Sequence, residues 1–173
     1  MTTAYWWRKH PNLGDAINPL LLERLSGLTV EWAEPAVADI ICCGSLIDSL
    51  PRSGWTGTVV GSGQLQESTV TDLTAADVLG VRGPLTRQRI HASQAVTTLG
   101  DPGLLAPMLK PSRNQKHEVG IVAHWSDNEL VPRELANAAK YGYSATVIDI
   151  GGDVMEVINA IGSCQKIVAS ALH

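Results

Sequence analysis

The chain has 173 residues, 45% hydrophobic and 17% charged, with a formal net charge of −4, enough apolar content for a folded core and too much for a disordered polymer. Its acidic balance argues against a nucleic-acid or anionic-membrane surface, although a local basic pocket could still take a small anion. Apolar runs break well short of the ~18 to 20 residues that a membrane span needs, and "MTTAYWWRKH" sets its charges after the apolar stretch, the reverse of a secretory leader, so a cytoplasmic location is expected.

Short β-rich runs alternate with segments of helical period, the pattern of an α/β protein with a mostly parallel sheet covered by helices. In chain order the spacing predicts strands at Thr3 to Trp7, Leu28 to Trp32, Asp39 to Cys43, Thr58 to Gly61, Asp77 to Val81, Ala95 to Leu99, Val119 to Ala123, Thr146 to Ile150 and Lys166 to Ala169. Between them, Asp15 to Leu25 carries Ile17, Leu20, Leu21 and Leu25 on one helix face and stops at Gly27. Pro84 suits a first helical turn, so "GPLTRQRIHA" reads as the next helix. Leu130 to Tyr141 and Asp153 to Ile161 complete the set, with Asp153 as N-cap. Trp6, Trp7 and Trp32 fall in predicted strands and are expected in the core. Cys42, Cys43 and Cys164 lack metal-type spacing and read as reduced, buried thiols, and no metal ligand set is visible.

"LKPSRNQKHE", Leu109 to Glu118, has linker composition. It divides a first α/β domain, residues 1–110, from a second, 118–173, with the linker at 111–117. The second contains only three predicted strands, and its last would lack the covering helices that parallel strands normally have. It reads as an incomplete domain whose exposed edge or face invites pairing with another chain, either a second copy or a complementing fragment.

Small and polar residues gather at the predicted strand ends, where open α/β sheets bind ligands. "HPNLGDAINP" opens a helix after the first strand; Asn12, Gly14 and Asp15 either cap it or hold a polar group there. "GSLI" supplies Gly44 and Ser45, and "VGSGQ" supplies Gly61, Ser62 and Gly63, two loops expected at one sheet edge. "GSG" lacks the full dinucleotide fingerprint, which discounts NAD or FAD. In "VRGPLTRQR", Arg82 at a strand end is placed to clamp a carboxylate or phosphate, with Arg87 one turn into the helix. Capping explains Asp101 in "LGDPGLLAP". His124 in "VAHWSD" and the terminal His173 both follow second-unit strands and suit proton transfer, with Trp125 available to stack on a sugar. His10, His91 and His117 receive no role.

In this order "NLGDAINP", "GSLI", "GSGQ", "VRGPLTR", "LGDPGLLAP", "VAHWSD" and "SALH" resemble the landmarks of the polysaccharide pyruvyl transferase family, of the short bacterial exopolysaccharide ketal-pyruvate transferase type. The resemblance covers nearly the whole chain and is most specific in N-x-G-D, V-R-G-P-x-T-R, G-D-P-x-L-L-x-P and S-x-L-H. It implies two Rossmann-like domains in a GT-B-like arrangement. The activity it implies is transfer of the enolpyruvyl unit of phosphoenolpyruvate to sugar hydroxyls as a ketal, with no cofactor beyond that donor. S-x-L-H is normally followed by glycine and further elements, so the resemblance implies a truncation after His173. Arg82 is then expected to bind phosphoenolpyruvate, together with the helix starts after Asn12 and after Gly61, and His173 and His124 to move protons. A lipid-linked acceptor would be met at the membrane surface. Two alternatives stay open: a nucleotide-sugar glycosyltransferase on the same scaffold, using Asp149 or Glu156 as its ribose carboxylate, and a non-catalytic binding or assembly module.

Overall fold

The computed structural model describes residues 1–10, 12–67, 69–112, 114–124 and 126–170. In chain order it contains β1 (Thr2–Tyr5), α1 (Leu13–Ala16), α2 (Asn18–Ser26), β2 (Val30–Trp32), β3 (Ile40–Ile41), β4 (Thr58–Val60), β5 (Thr71–Leu73), β6 (Asp77–Gly80), α3 (Pro84–Gln88) and β7 (Ile90–Ala92). A 3-10 stretch over Pro102–Leu109 precedes β8 (His117–Val122), α4 (Val131–Lys140), β9 (Ala145–Val147), α5 (Val154–Gly162) and β10 (Cys164–Ala169). Two compact units result: Met1–Trp7 with Ile17–Leu109, and Arg8–Ala16 with Lys110–His173. The sequence reading placed 8–16 inside a continuous first domain. Instead Leu13 of α1 packs on the cluster of Ile148, Val157 and Cys164 in the second unit.

The first unit holds a parallel sheet in the order β2-β1-β3-β4-β6. Counted along this sheet the order is 2-1-3-4-5, a doubly wound pattern with its switch point between β1 and β3. Tyr5, Ile41, Ile47, Val59, Leu73 and Val81 form its core. The second unit repeats the start of that pattern, β10-β8-β9, again parallel, with the switch point between β8 and β10. Gly120 sits mid-strand in β8 because a Cβ there would stand 2.8 Å from Cys164 Sγ and 2.9 Å from Ile148 Cδ1.

Local chemistry accounts for most helix boundaries. Gly27 closes α2 at φ 71° and donates to Glu23 O at 2.9 Å, and the Asp153 carboxylate accepts from Met155 N–H (2.9 Å) and Glu156 N–H (3.1 Å) at the start of α5. The single helix expected over Asp15 to Leu25 is two. Pro19 has no N–H to donate to Asp15, so α1 ends and α2 begins with proline in its first turn.

Other expectations need correction. Ala95 to Leu99 is no strand; it contributes one bridge, Val81 to Leu99, and of its residues only Val96 is half-buried, against the core cluster, while the others are exposed. The helix expected to run through Ala92 stops at Gln88, and Ile90–Ala92 pairs instead with Thr71–Leu73 as a small separate sheet. Trp6 and Trp32 are only half-buried and Trp7 is exposed; among the described residues the core tryptophan is Trp55, whose Nε1 donates to Ala38 O at 3.1 Å. No helix among the described residues is long and apolar enough to cross a membrane.

Candidate functional site

At the carboxyl edge of the first sheet the loops after β3, β4 and β6 are laced together. Gly63 N–H donates to Gly44 O (2.9 Å), Ile47 N–H to Gly63 O (3.2 Å), Gly61 N–H to Gly80 O (2.9 Å) and Arg82 N–H to Ser62 O (3.0 Å). Ser62 is fully buried; its hydroxyl donates to Gly44 O (2.9 Å) and accepts from Leu46 N–H (3.2 Å), so it tethers the loops to each other. Gly61 holds φ 74°, and a Cβ there would stand 2.5 Å from Pro102 Cδ and 2.8 Å from Gly100 O. Ser45 is half-buried beside this lacing.

Arg82 stands between β6 and α3 with its guanidinium laid on Gly63, where a Cβ would come within 2.5 Å of Cζ. Its Nη2 donates to Gln64 O at 3.4 Å, and among the described residues no carboxylate forms an ion pair with it. A half-buried guanidinium at a strand end, in no ion pair among the described residues, is suited to an anionic ligand. Arg87 is exposed in the last turn of α3. Among the described residues no helix starts between Gly61 and β5, which corrects the expectation of an anion-binding helix start there. The amides of Leu65 (2.5 Å) and Gln66 (3.0 Å) donate instead to Asp48 Oδ2.

Asn18 is the residue this edge adds to the sequence reading. It is wholly buried, its Nδ2 donating to Cys43 O (2.9 Å) and its Oδ1 accepting from Cys43 N–H (2.8 Å). It thereby fixes the chain leaving β3 just before Gly44. Its only sequence signal was its place in "NLGDAINP". Asp101 caps as expected, accepting from Gly103 N–H at 2.9 Å, and lies 3.6 Å from Cys43 Sγ. Burial pushes the neighbouring Cys42 thiol up to about 12.

In the second unit the loops after β8 and β10 meet at the switch point. His124 N–H donates to Ser170 Oγ (2.9 Å), and Ser170 N–H to Val122 O (3.2 Å). His124 Nδ1 lies 2.8 Å from Ser126 Oγ, which donates to Asp127 Oδ1 at 2.8 Å. Hydroxyl hydrogen bonds from Ser170 and Ser126 hold the Asp127 carboxyl below its usual range. Beside this loop, Ala123, Asn128, Ile148, Asp149 and Gly151 line a cleft of about 370 Å³. The helix start after Asn12 also belongs to this unit. Asn12 Oδ1 accepts from Gly14 N–H (2.9 Å) and Nδ2 donates to Asp15 Oδ2 (2.8 Å), a cap on the four-residue α1.

Among proteins of known role, the chain is 25% identical to the succinoglycan biosynthesis protein ExoV of Rhizobium meliloti (strain 1021), aligned over 178 residues that take in 100% of this chain and 54% of that protein. The link is distant and takes in the whole of this chain. The chain spans about half the length of that relative. No family model and no solved structure matches the sequence.

The residues singled out from sequence therefore fall into two groups. Gly44, Ser45, Gly61, Ser62, Gly63 and Arg82 gather at one edge of the first unit, with Arg87 on the adjoining helix. His124 stands at the switch point of the second unit, and Asn12, Gly14 and Asp15 form a cap within that unit. Trp125 and His173 lie outside the described residues. No cluster of three or more His, Cys, Asp or Glu placed to hold a metal ion occurs among the described residues.

Proposed function

We propose that this chain carries the donor site of a polysaccharide pyruvyl transferase, which moves the enolpyruvyl unit of phosphoenolpyruvate onto sugar hydroxyls during exopolysaccharide assembly. The observation that carries the reading is Arg82, a guanidinium seated on Gly63 among the laced loops and, among the described residues, in no ion pair. The distant similarity of the whole chain to about half of a protein of succinoglycan biosynthesis supports the sugar-polymer context.

In this proposal Arg82 grips the carboxylate or phosphate of the donor. Protonation of the methylene carbon leaves an oxocarbenium-like centre, which one sugar hydroxyl attacks with loss of its proton. The C–O bond to phosphate then breaks, and a second hydroxyl closes the ketal as its proton departs. His124 and His173 are the proposed proton carriers, a role worth typically ~10²- to 10⁴-fold in rate. A GT-B-like pairing of two Rossmann-like domains, and self-association along the β10 edge, belong to the same proposal. Sedimentation at rising protein concentration tests the association, which a constant monomer mass would refute.

Calorimetric titration of phosphoenolpyruvate into the chain, with Arg82→Ala and a UDP-sugar in parallel, tests the donor site. Heat from phosphoenolpyruvate that disappears in Arg82→Ala is the expected outcome. The cleft beside Asp149 favours the nucleotide-sugar glycosyltransferase as the second reading. Binding of the UDP-sugar with silence from phosphoenolpyruvate would establish that alternative.

A further inference from the structure

The hydroxyl of Ser126 has a single proton and two polar neighbours, His124 Nδ1 at 2.8 Å and Asp127 Oδ1 at 2.8 Å. An ionised carboxylate only accepts, so a 2.8 Å contact between Ser126 Oγ and Asp127 Oδ1 requires the serine proton to lie between them. Ser126 Oγ then has only lone pairs to offer the imidazole, and at that distance Nδ1 must be the donor. The rival arrangement, with Ser126 O–H turned toward Nδ1, would set two proton-free oxygens 2.8 Å apart. The Ser126 backbone N–H, 3.4 Å from Nδ1, is too long a contact to outweigh that repulsion.

Asp127 is itself fixed. Its main chain closes a turn on both sides, N–H to His124 O at 2.8 Å and C=O from Leu130 N–H at 2.9 Å. Its carboxylate also accepts from Ser170, the residue that receives the His124 N–H and follows β10. One carboxylate thus ties together the loops after β8 and β10, where the sheet order reverses and a ligand crevice opens.

We propose that Asp127, acting through Ser126, is a positioning residue that sets the tautomer of His124, placing the proton on Nδ1 and the lone pair on Nε2. This deepens the proposed pyruvyl-transfer reading and rests on it for its catalytic meaning: His124 would then enter the reaction as a base through Nε2, accepting a proton from a sugar hydroxyl. Ser170 braces the carboxylate from the second loop. The arrangement parallels the use of a carboxylate to orient a histidine in other enzymes, with a serine interposed.

The test is two-bond ¹H–¹⁵N correlation spectroscopy of the whole 173-residue chain at alkaline pH, where the imidazole is neutral, without substrate. Wild-type His124 is expected to show Nδ1 protonated and Nε2 with the shift of an unprotonated ring nitrogen. In Asp127→Ala the Ser126 hydroxyl is released to donate to Nδ1, and the pattern should invert. Ser126→Ala should also lose the fixed Nδ1–H form, and it covers the case in which Asp127→Ala does not fold. Nε2–H in the wild type, or an Nδ1–H form that persists in both variants, overturns the proposal. Because no donor is present, failure of phosphoenolpyruvate to bind would refute the pyruvyl-transfer reading without touching this result. In a chain that turns over, Asp127→Ala should lower kcat at least ~10-fold with KM for phosphoenolpyruvate unchanged, the split expected when a proton-transfer group is misoriented. Unchanged kcat alongside an inverted tautomer would overturn the assignment of His124 as the base.

Discussion

In the first unit the loops beyond the strands are tied by backbone hydrogen bonds around a guanidinium, whereas in the second they are tied by serine hydroxyls around a carboxylate. Both sheets begin with the same strand order, so topology alone does not set the charge at the switch point. They also differ in depth. The largest fully buried side chains, Leu21, Ile41, Ile47, Leu73, Val59 and Val81 among them, all belong to the first unit, while on β10 Ile167 and Val168 are 40% and 46% exposed. In the proposed reaction the first unit holds the anion and the second moves the proton, on a sheet with less behind it.

The sharpest way to break this contrast is to empty each core in turn. Leu21→Ala should cost ~2–5 kcal/mol by the usual transfer and cavity terms, whereas Val168→Ala should stay below ~1 kcal/mol, both read from urea unfolding. Equal losses would mean that the exposed strand is as well supported as the buried helix. Asn18→Ala removes two buried hydrogen bonds to the Cys43 main chain and should cost ~2–4 kcal/mol in the same assay.

Function sharpens the contrast with a milder substitution. Gly63→Ala leaves the backbone unstrained but pushes the flexible end of Arg82 off its seat, so phosphoenolpyruvate should bind ~10-fold more weakly by calorimetry while the unfolding midpoint hardly moves. Full affinity in Gly63→Ala would show that the seat does not position the cation. Cys42, with its thiol pushed up to about 12, should resist alkylation near pH ~8 in the folded chain and react once urea unfolds it; rapid labelling of folded protein would contradict its burial.

The smallest effect concerns acid. Asp39, which accepts from the N–H and hydroxyl of Thr3 (both 2.8 Å), and Asp127 each have a folded pKa below the unfolded value. Their contributions are therefore complete above the ordinary carboxylate range and disappear as pH falls through the lowered folded values. Carboxyl NMR titrations should show both midpoints displaced downward, and for Asp127 the displacement should shrink in Ser126→Ala.

How much of this was legible in advance depended on how local the cause was. Gly27, Pro84 and Asp153 mark helix ends because their effect is exerted within one turn of chain. The pairing of Thr71–Leu73 with Ile90–Ala92 was not legible, since three-residue strands carry almost no periodicity and find their partner across an intervening strand and helix. Ala95 to Leu99 has strand-like composition, yet it is mostly exposed, with only Val96 packed on the core, and it forms a single bridge to Val81 and no ladder. At the site, the glycines and Arg82 could be named from their places after strands. Ser126, Asp127 and Ser170 received no role, because their meaning comes from two loops 46 residues apart meeting at one point.

The excursion of Arg8–Ala16 into the second unit, with the neighbouring segments on either side in the first, bears on how the protein is made. As the chain leaves the ribosome, Leu13 has nothing to dock on until Ile148, Val157 and Cys164 have been synthesised. Even the first residue of the remainder of its unit, Lys110, emerges roughly 90 residues later, a wait on the order of 10 s at ordinary translation rates. Throughout that interval β1 can pair only by leaving its own downstream loop as an open bight, so the Arg8–Ala16 segment joins its unit long after the strand before it has been made.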